Sequence, residues 1–134
     1  MSFSPIPSYA FGTMFTGIGF LTLIAPAVDY AVFGVPLEPP ASASPADKGK
    51  GTVSPMAYAK GARDFAFGLT YYALQYYGLD QAITVFSAVL CFVALADGAI
   101  VYTYGGPELR SKAFGHWGGF VGFAAWVAWR AQFF

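Results

Sequence analysis

Four apolar runs separated by three polar or glycine-rich breaks set the pattern of this chain. The first covers about residues 9–33. Its Tyr9–Val28 part carries no charge, and some twenty residues at ~1.5 Å each suffice to span a hydrocarbon layer of ~30 Å. Pro26 is expected to kink this run or end its regular part, and Phe33-Gly34-Val35-Pro36 to stop it. The other runs cover about 56–77, 81–104 and 108–133. Between the first two lies a polar loop, 35–55, punctuated by Pro36, Pro39, Pro40, Pro45 and Pro55. It predicts no regular structure and reads as a lid or a plain linker. Gly78-Leu79-Asp80 predicts a tight turn with Asp80 as helix N-cap, and Gly105-Gly106-Pro107 a second break. The pattern therefore predicts one all-α domain, residues 1–134, built as a four-transmembrane-helix bundle.

Composition agrees. Hydrophobic residues make up 57%, charged residues 10%, against about 25% charge in a soluble domain. Net charge is zero and no basic run occurs, so nucleic acid is not an expected partner. The lone Cys91 lies among apolar residues and reads as a small core residue. The N-terminus has no positively charged region, so the first run reads as retained and not as a signal peptide. Lys48, Lys50, Arg110 and Lys112 fall in two of the connections, and only Arg130 on the other side. Positive charge favours the cytoplasm, which puts both termini on the far side of a membrane, with the endoplasmic reticulum as the expected one. Gly115, Gly118, Gly122 and Ala125 form a narrow stripe, closed by Trp129, that suits close helix approach or a homo-oligomer. Gly12, Gly17 and Gly19 offer the same in the first run.

The candidate chemistry starts at Lys60-Gly61-Ala62-Arg63-Asp64. At 100° per residue, Lys60, Arg63, Asp64, Phe67 and Tyr71 share one arc, while Phe65, Leu69, Tyr72 and Tyr76 fall on the opposite, lipid-facing arc. Counting from the cytoplasmic face, Arg63, Asp64, Asp97 and His116 all lie roughly 10–12 Å deep, with Asp29 not far above. Ionisable groups inside a span are costly and mark function. The plainer reading is a buried ion pair and a satisfied histidine, although such pairs contribute little net stability. Two carboxylates in one apolar cavity resist ionising together, so they are expected to supply an acid and a base. Arg63 would orient the ionised member and His116 relay a proton. The catalytic set is thus Asp64, Asp97, His116 and Arg63. Tyr71, Lys60 and Asp29 are substrate-binding candidates, with Lys60 and Asp29 also able to snorkel to the interface. No HExxH, GxGxxG, P-loop or CxxC motif occurs, so neither metal nor cofactor is expected. The predicted activity is general acid–base chemistry on a lipophilic small molecule: epoxide opening or hydrolysis, cyclisation, or isomerisation. Two other readings stand beside it, a non-catalytic lipid- or metabolite-binding accessory protein with Arg63 as an anion anchor, and an oligomerising subunit.

The run AFG…GFLxLxAP…FGVP, followed by KGARDFAFGL, ALADG and a glycine-flanked histidine, resembles an uncharacterised fungal family of four-helix membrane proteins. That family is distantly similar to DoxX-like proteins. The resemblance covers nearly the whole chain; the family's Arg-Asp pair falls on Arg63 and Asp64, its third-span Asp on Asp97, and its last-span His on His116. It implies a fungal membrane protein of secondary metabolism acting on terpenoid or polyene polyketide intermediates. By residue type alone, the Asp/Arg/Asp set is similar to the polar triad of limonene-type epoxide hydrolases.

Overall fold

A computed structural model describes residues 3–40 and 51–134, and the chain is all-helical, with no strand among the described residues. Helix α1 (Ile6–Ile24) stops at Ala25 because Pro26 has no N–H to give to the preceding turn. Helix α2 (Pro26–Phe33) restarts there and ends at Gly34, whose φ of 107° suits glycine. The first apolar run is therefore two helices. Glu38 and Thr52 then exchange backbone hydrogen bonds of 3.1 and 2.7 Å, one isolated antiparallel bridge that ties the ends of the polar loop together. Residues 41–50, which hold Pro45, Lys48, Lys50 and the lid-or-linker question, lie outside the described residues.

Helix α3 (Pro55–Tyr76) starts with Pro55 in its first turn and Ser54 Oγ accepting from Met56 N–H at 3.2 Å. Helix α4 (Asp80–Tyr104) follows Gly78, at φ 65°. Asp80 is not its cap: Leu79 holds that position, and the Asp80 carboxylate accepts from Arg130 instead. After α5 (Gly106–Leu109) and a 3-10 turn (Arg110–Lys112), helix α6 (Ala113–Ala131) begins later than the apolar run, at Ala113. Helices α1 and α4 are long and apolar enough to cross a membrane.

The four long helices alternate in direction. The closest approach is α1 on α3, and glycine makes it. A Cβ on Gly19 would lie 2.6 Å from Phe65 N and 2.7 Å from Gly61 O; one on Gly68 would lie 2.6 Å from Thr16 N and 2.7 Å from Gly12 O. Backbone thus rests on backbone along two helices that each carry glycine at a seven-residue interval. Tyr72 lies against Gly12 and bonds Thr13 through its hydroxyl at 2.8 Å. Phe65 and Tyr72, assigned to the lipid-facing arc by the helical wheel, therefore belong to this seam. The α6 glycines differ: a Cβ at Gly115, Gly118, Gly119 or Gly122 would meet nothing within 4 Å. Among the described residues, that stripe does not pack against a neighbouring helix.

Tyr71, Ile83, Leu90 and Phe123 form the buried core, with Phe11, Phe15 and Trp126 packed on it. Phe11 and Phe123 approach to 4.5 Å between ring centroids, closing α1 on α6. At one end Arg130, 1% exposed, donates to Thr84 Oγ1 at 2.8 Å and to Asp80 at 2.9 and 3.1 Å, under the Phe3 ring. Arg130 thus sits at the end opposite Lys60–Asp64, where it is buried and paired.

Gly19→Ala and Gly68→Ala are each expected to lower the thermal midpoint in detergent, overpacking costing about 1–3 kcal/mol. Gly17→Ala, with open space around its Cβ, is expected to leave the midpoint unchanged or raise it, since alanine favours helix by up to about 1 kcal/mol.

Candidate functional site

At the other end, α2, α3 and α4 contribute five charged side chains to one continuous chain of contacts. Lys60 Nζ donates to both Asp29 oxygens at 3.2 Å and to Asp64 Oδ2 at 2.9 Å. Arg63 Nε donates to Asp64 Oδ1 at 3.2 Å, and its Nη1 and Nη2 fork onto Asp97 at 3.5 and 3.2 Å. The order is Asp29, Lys60, Asp64, Arg63, Asp97, acid alternating with base. Helical spacing explains the middle of it: positions 60 and 64 lie one turn apart on one face. The break at Ala25 brings Asp29 to Lys60 from the separate helix α2.

The wheel arc therefore pointed the right way for Lys60, Arg63 and Asp64. Snorkelling is not what Asp29 and Lys60 do. Asp29 is 2% exposed, and Lys60 is spent on two carboxylates. The expected carboxylate pair also takes a different form. Asp64 and Asp97 meet only through the Arg63 guanidinium between them, so the geometry sets acid against base, not acid against acid.

A cavity of about 530 Å³ lies against this wall and touches Asp29, Lys60, Asp64, Asp97 and His116 together. Phe15, Leu90 and Phe123 close its inner end, and Gly115 and Gly119 of α6 leave it room where side chains would fill it. His116 stands across from the charges without bonding to them. Its Nε2 lies 2.9 Å from the Phe33 carbonyl oxygen, which only accepts, so Nε2 carries a proton and Nδ1 is the acceptor of the neutral imidazole. The Phe33 ring lies edge-on to the imidazole at 5.0 Å and 5.0 Å from Lys60 Nζ. Lys112 Nζ reaches across to the Ala31 carbonyl at the same end. Neither the Phe33 carbonyl nor the Lys112 bridge left a signal in the sequence, since a backbone acceptor has no residue code.

Tyr71 takes no part. It is fully buried, its hydroxyl 2.7 Å from Ser87 Oγ, and it stacks on Phe15 in the core. Cys91 is half-buried beside that core. Among the described residues, no group of three or more His, Cys, Asp or Glu side chains is placed to hold a metal ion.

Fold and site together define an all-helical protein, two of its helices able to cross a membrane, with an ion-paired wall facing an apolar cavity. The chain belongs to the family described as Domain of unknown function (DUF4267), whose model matches residues 12–130. No curated protein and no solved structure matches it.

Lys60→Met is expected to destabilise the fold by about 3–5 kcal/mol, because it strands the buried Asp29 carboxylate. Adding Asp29→Asn is expected to recover part of that loss. Denaturant melts in detergent of the single and double variants measure it, and strict additivity would contradict a coupled pair.

Proposed function

We propose that this chain crosses the membrane four times and carries out general acid–base chemistry on a lipophilic small molecule in the cavity beside His116. The observation behind it is that one cavity touches Asp64, Asp97 and an imidazole with an uncommitted nitrogen.

Three features support the four-span reading. Helices α3 and α6, at 22 and 19 residues, measure ~33 and ~28 Å, enough for the hydrocarbon layer. Among the described residues, seven polar or charged ones are buried against eight hydrophobic ones, while Phe20, Leu23, Val85, Val89, Phe92, Phe114 and Val121 are exposed. An apolar outside around a paired, polar inside suits lipid better than water. The three charges that make α3 look unlike a span all turn onto neighbouring helices or each other. With Arg110 and Lys112 at the same end as the charge wall, the cytoplasmic leaflet is the side on which the cavity lies, and both termini are on the other. The sequence resemblance supports a fungal protein with a polyene polyketide or terpenoid intermediate as substrate, and the endoplasmic reticulum is the membrane we propose for it.

Epoxide opening fits the arrangement best. Three carboxylates against two cations leave the wall one negative charge in excess, and in the reactive state a proton held there by Asp64 or Asp97 passes to the epoxide oxygen as one C–O bond breaks. Water or an internal hydroxyl, losing its proton to His116 Nδ1, forms the new C–O bond. The proton on His116 then replaces the one the wall gave up, so the cycle closes without a cofactor. One observation favours a non-catalytic binding protein: each carboxylate of the wall already faces a cation.

In nanodiscs the protein is expected to convert a lipophilic terpenoid or polyene epoxide to a diol or cyclic ether, followed by mass spectrometry. Asp64→Asn, Asp97→Asn and His116→Gln are each expected to cut turnover by about 10²–10⁴, the range for a lost acid or base, with helicity retained. Full turnover in all three variants would sink the enzymatic reading. A co-purifying metabolite with no product from the native chain would select the binding protein.

A further inference from the structure

The charge wall has two sides. Behind it, a second cavity of about 520 Å³ lies between α2, the Val35–Pro39 strap, α3 and α4. Asp29, Phe33, Lys60 and Asp97 face both cavities, but Asp64 lines only the first and Arg63 only the second. The wall is thus polarised, carboxylate toward His116 and guanidinium toward the strap.

The second cavity is lined by three carboxylates, Asp29, Glu38 and Asp97, and two cations, Lys60 and Arg63, and each except Arg63 has its charged atoms engaged. Both Asp29 oxygens are taken by Lys60 and both Asp97 oxygens by Arg63. Glu38, exposed at the rim, accepts from the Tyr30 hydroxyl. Arg63 is the exception: of its five N–H donors, three have partners among the described residues. Its side chain is also the most exposed of the five, 36% against 3–18% for the others. The remaining lining is apolar, with Leu37, Met56, Ile100 and Tyr104 prominent.

We propose that this second cavity binds an amphiphile with an anionic oxyacid headgroup, carboxylate or phosphate, with the head on the free edge of Arg63 and the apolar body between Leu37, Met56 and Ile100. A planar fork donor with spare N–H groups in an apolar pocket is matched by such a head. The Asp97 fork holds the guanidinium in place beforehand. The site is separate from the first cavity, and its existence does not depend on the chemistry proposed there.

The test uses the full chain in nanodiscs of neutral phosphatidylcholine, with cis-parinaric acid fluorescence reporting a carboxylate head and native mass spectrometry of retained phosphatidic acid reporting a phosphate head. Saturable binding of either is expected; parinaric acid without phosphatidic acid assigns a carboxylate, and the reverse a phosphate. Ile100→Trp, which fills the cavity without touching the wall, and Arg63→Lys, which keeps the charge but loses the fork, are each expected to weaken binding about tenfold, the value of one charge-assisted hydrogen bond or a lost apolar contact. Gly119→Leu and His116→Gln, which alter only the first cavity, are expected to leave affinity within about twofold while turnover, if present, falls. Equal binding of the parinaric methyl ester, no effect of Ile100→Trp, or loss of binding in Gly119→Leu would each overturn the assignment, as would failure of both ligands to bind. Every outcome that overturns the assignment is a binding measurement, so failure of the enzymatic reading leaves this result standing, and the reverse.

Discussion

Charge pairing away from water governs this structure. Three carboxylates and two cations from three helices sit where desolvation makes any unpaired ion expensive, and the chain satisfies them by alternation along a single line of contacts. The line fixes geometry. Asp29 can reach Lys60 only if α2 breaks from α1, and Arg63 can fork onto Asp97 only if α3 and α4 are held at a set depth. Lys60 joins α2 to α3, and Arg63 joins α3 to α4.

The glycine seam makes that line possible. Because Gly12, Gly19, Gly61 and Gly68 let α1 and α3 touch through backbone, the bulk of α3's larger side chains is left for the other neighbours. The polar and aromatic residues of α3 divide accordingly: Lys60, Arg63 and Asp64 onto the wall, Tyr71 into the core with Ser87, and Phe65 and Tyr72 along the seam. On the membrane reading this is a packing mode that small residues allow and larger ones forbid. The α6 glycines serve space instead: Gly115 and Gly119 border the cavity.

The stretch Lys60–Asp64 was legible because a helical wheel needs only sequence spacing, and charges in an apolar run stand out. The depth argument also found Asp97 and placed His116 near the same end. Tyr71 misled: a hydroxyl on the polar arc has the same code whether it lines a cavity or bonds a buried serine. Asp80 misled for a related reason: it looked like a helix cap, and its partner Arg130 lies fifty residues away. Asp29 and Lys60 looked free to reach the interface until α2 turned.

The sequence by itself determined the helical class, the four apolar runs, the breaks at Pro26, Gly34, Gly78 and Gly105–Gly106, and the cluster of ionisable residues. These are local properties, set by side-chain hydropathy and by the backbone limits of proline and glycine. Only the tertiary structure decided which acid faces which base, that the Phe33 carbonyl sets the His116 tautomer, and that the wall stands between two cavities, Asp64 lining one and Arg63 the other. Those outcomes depend on how α2, α3, α4 and α6 are rotated and offset against one another, and no single helix's sequence encodes that relation.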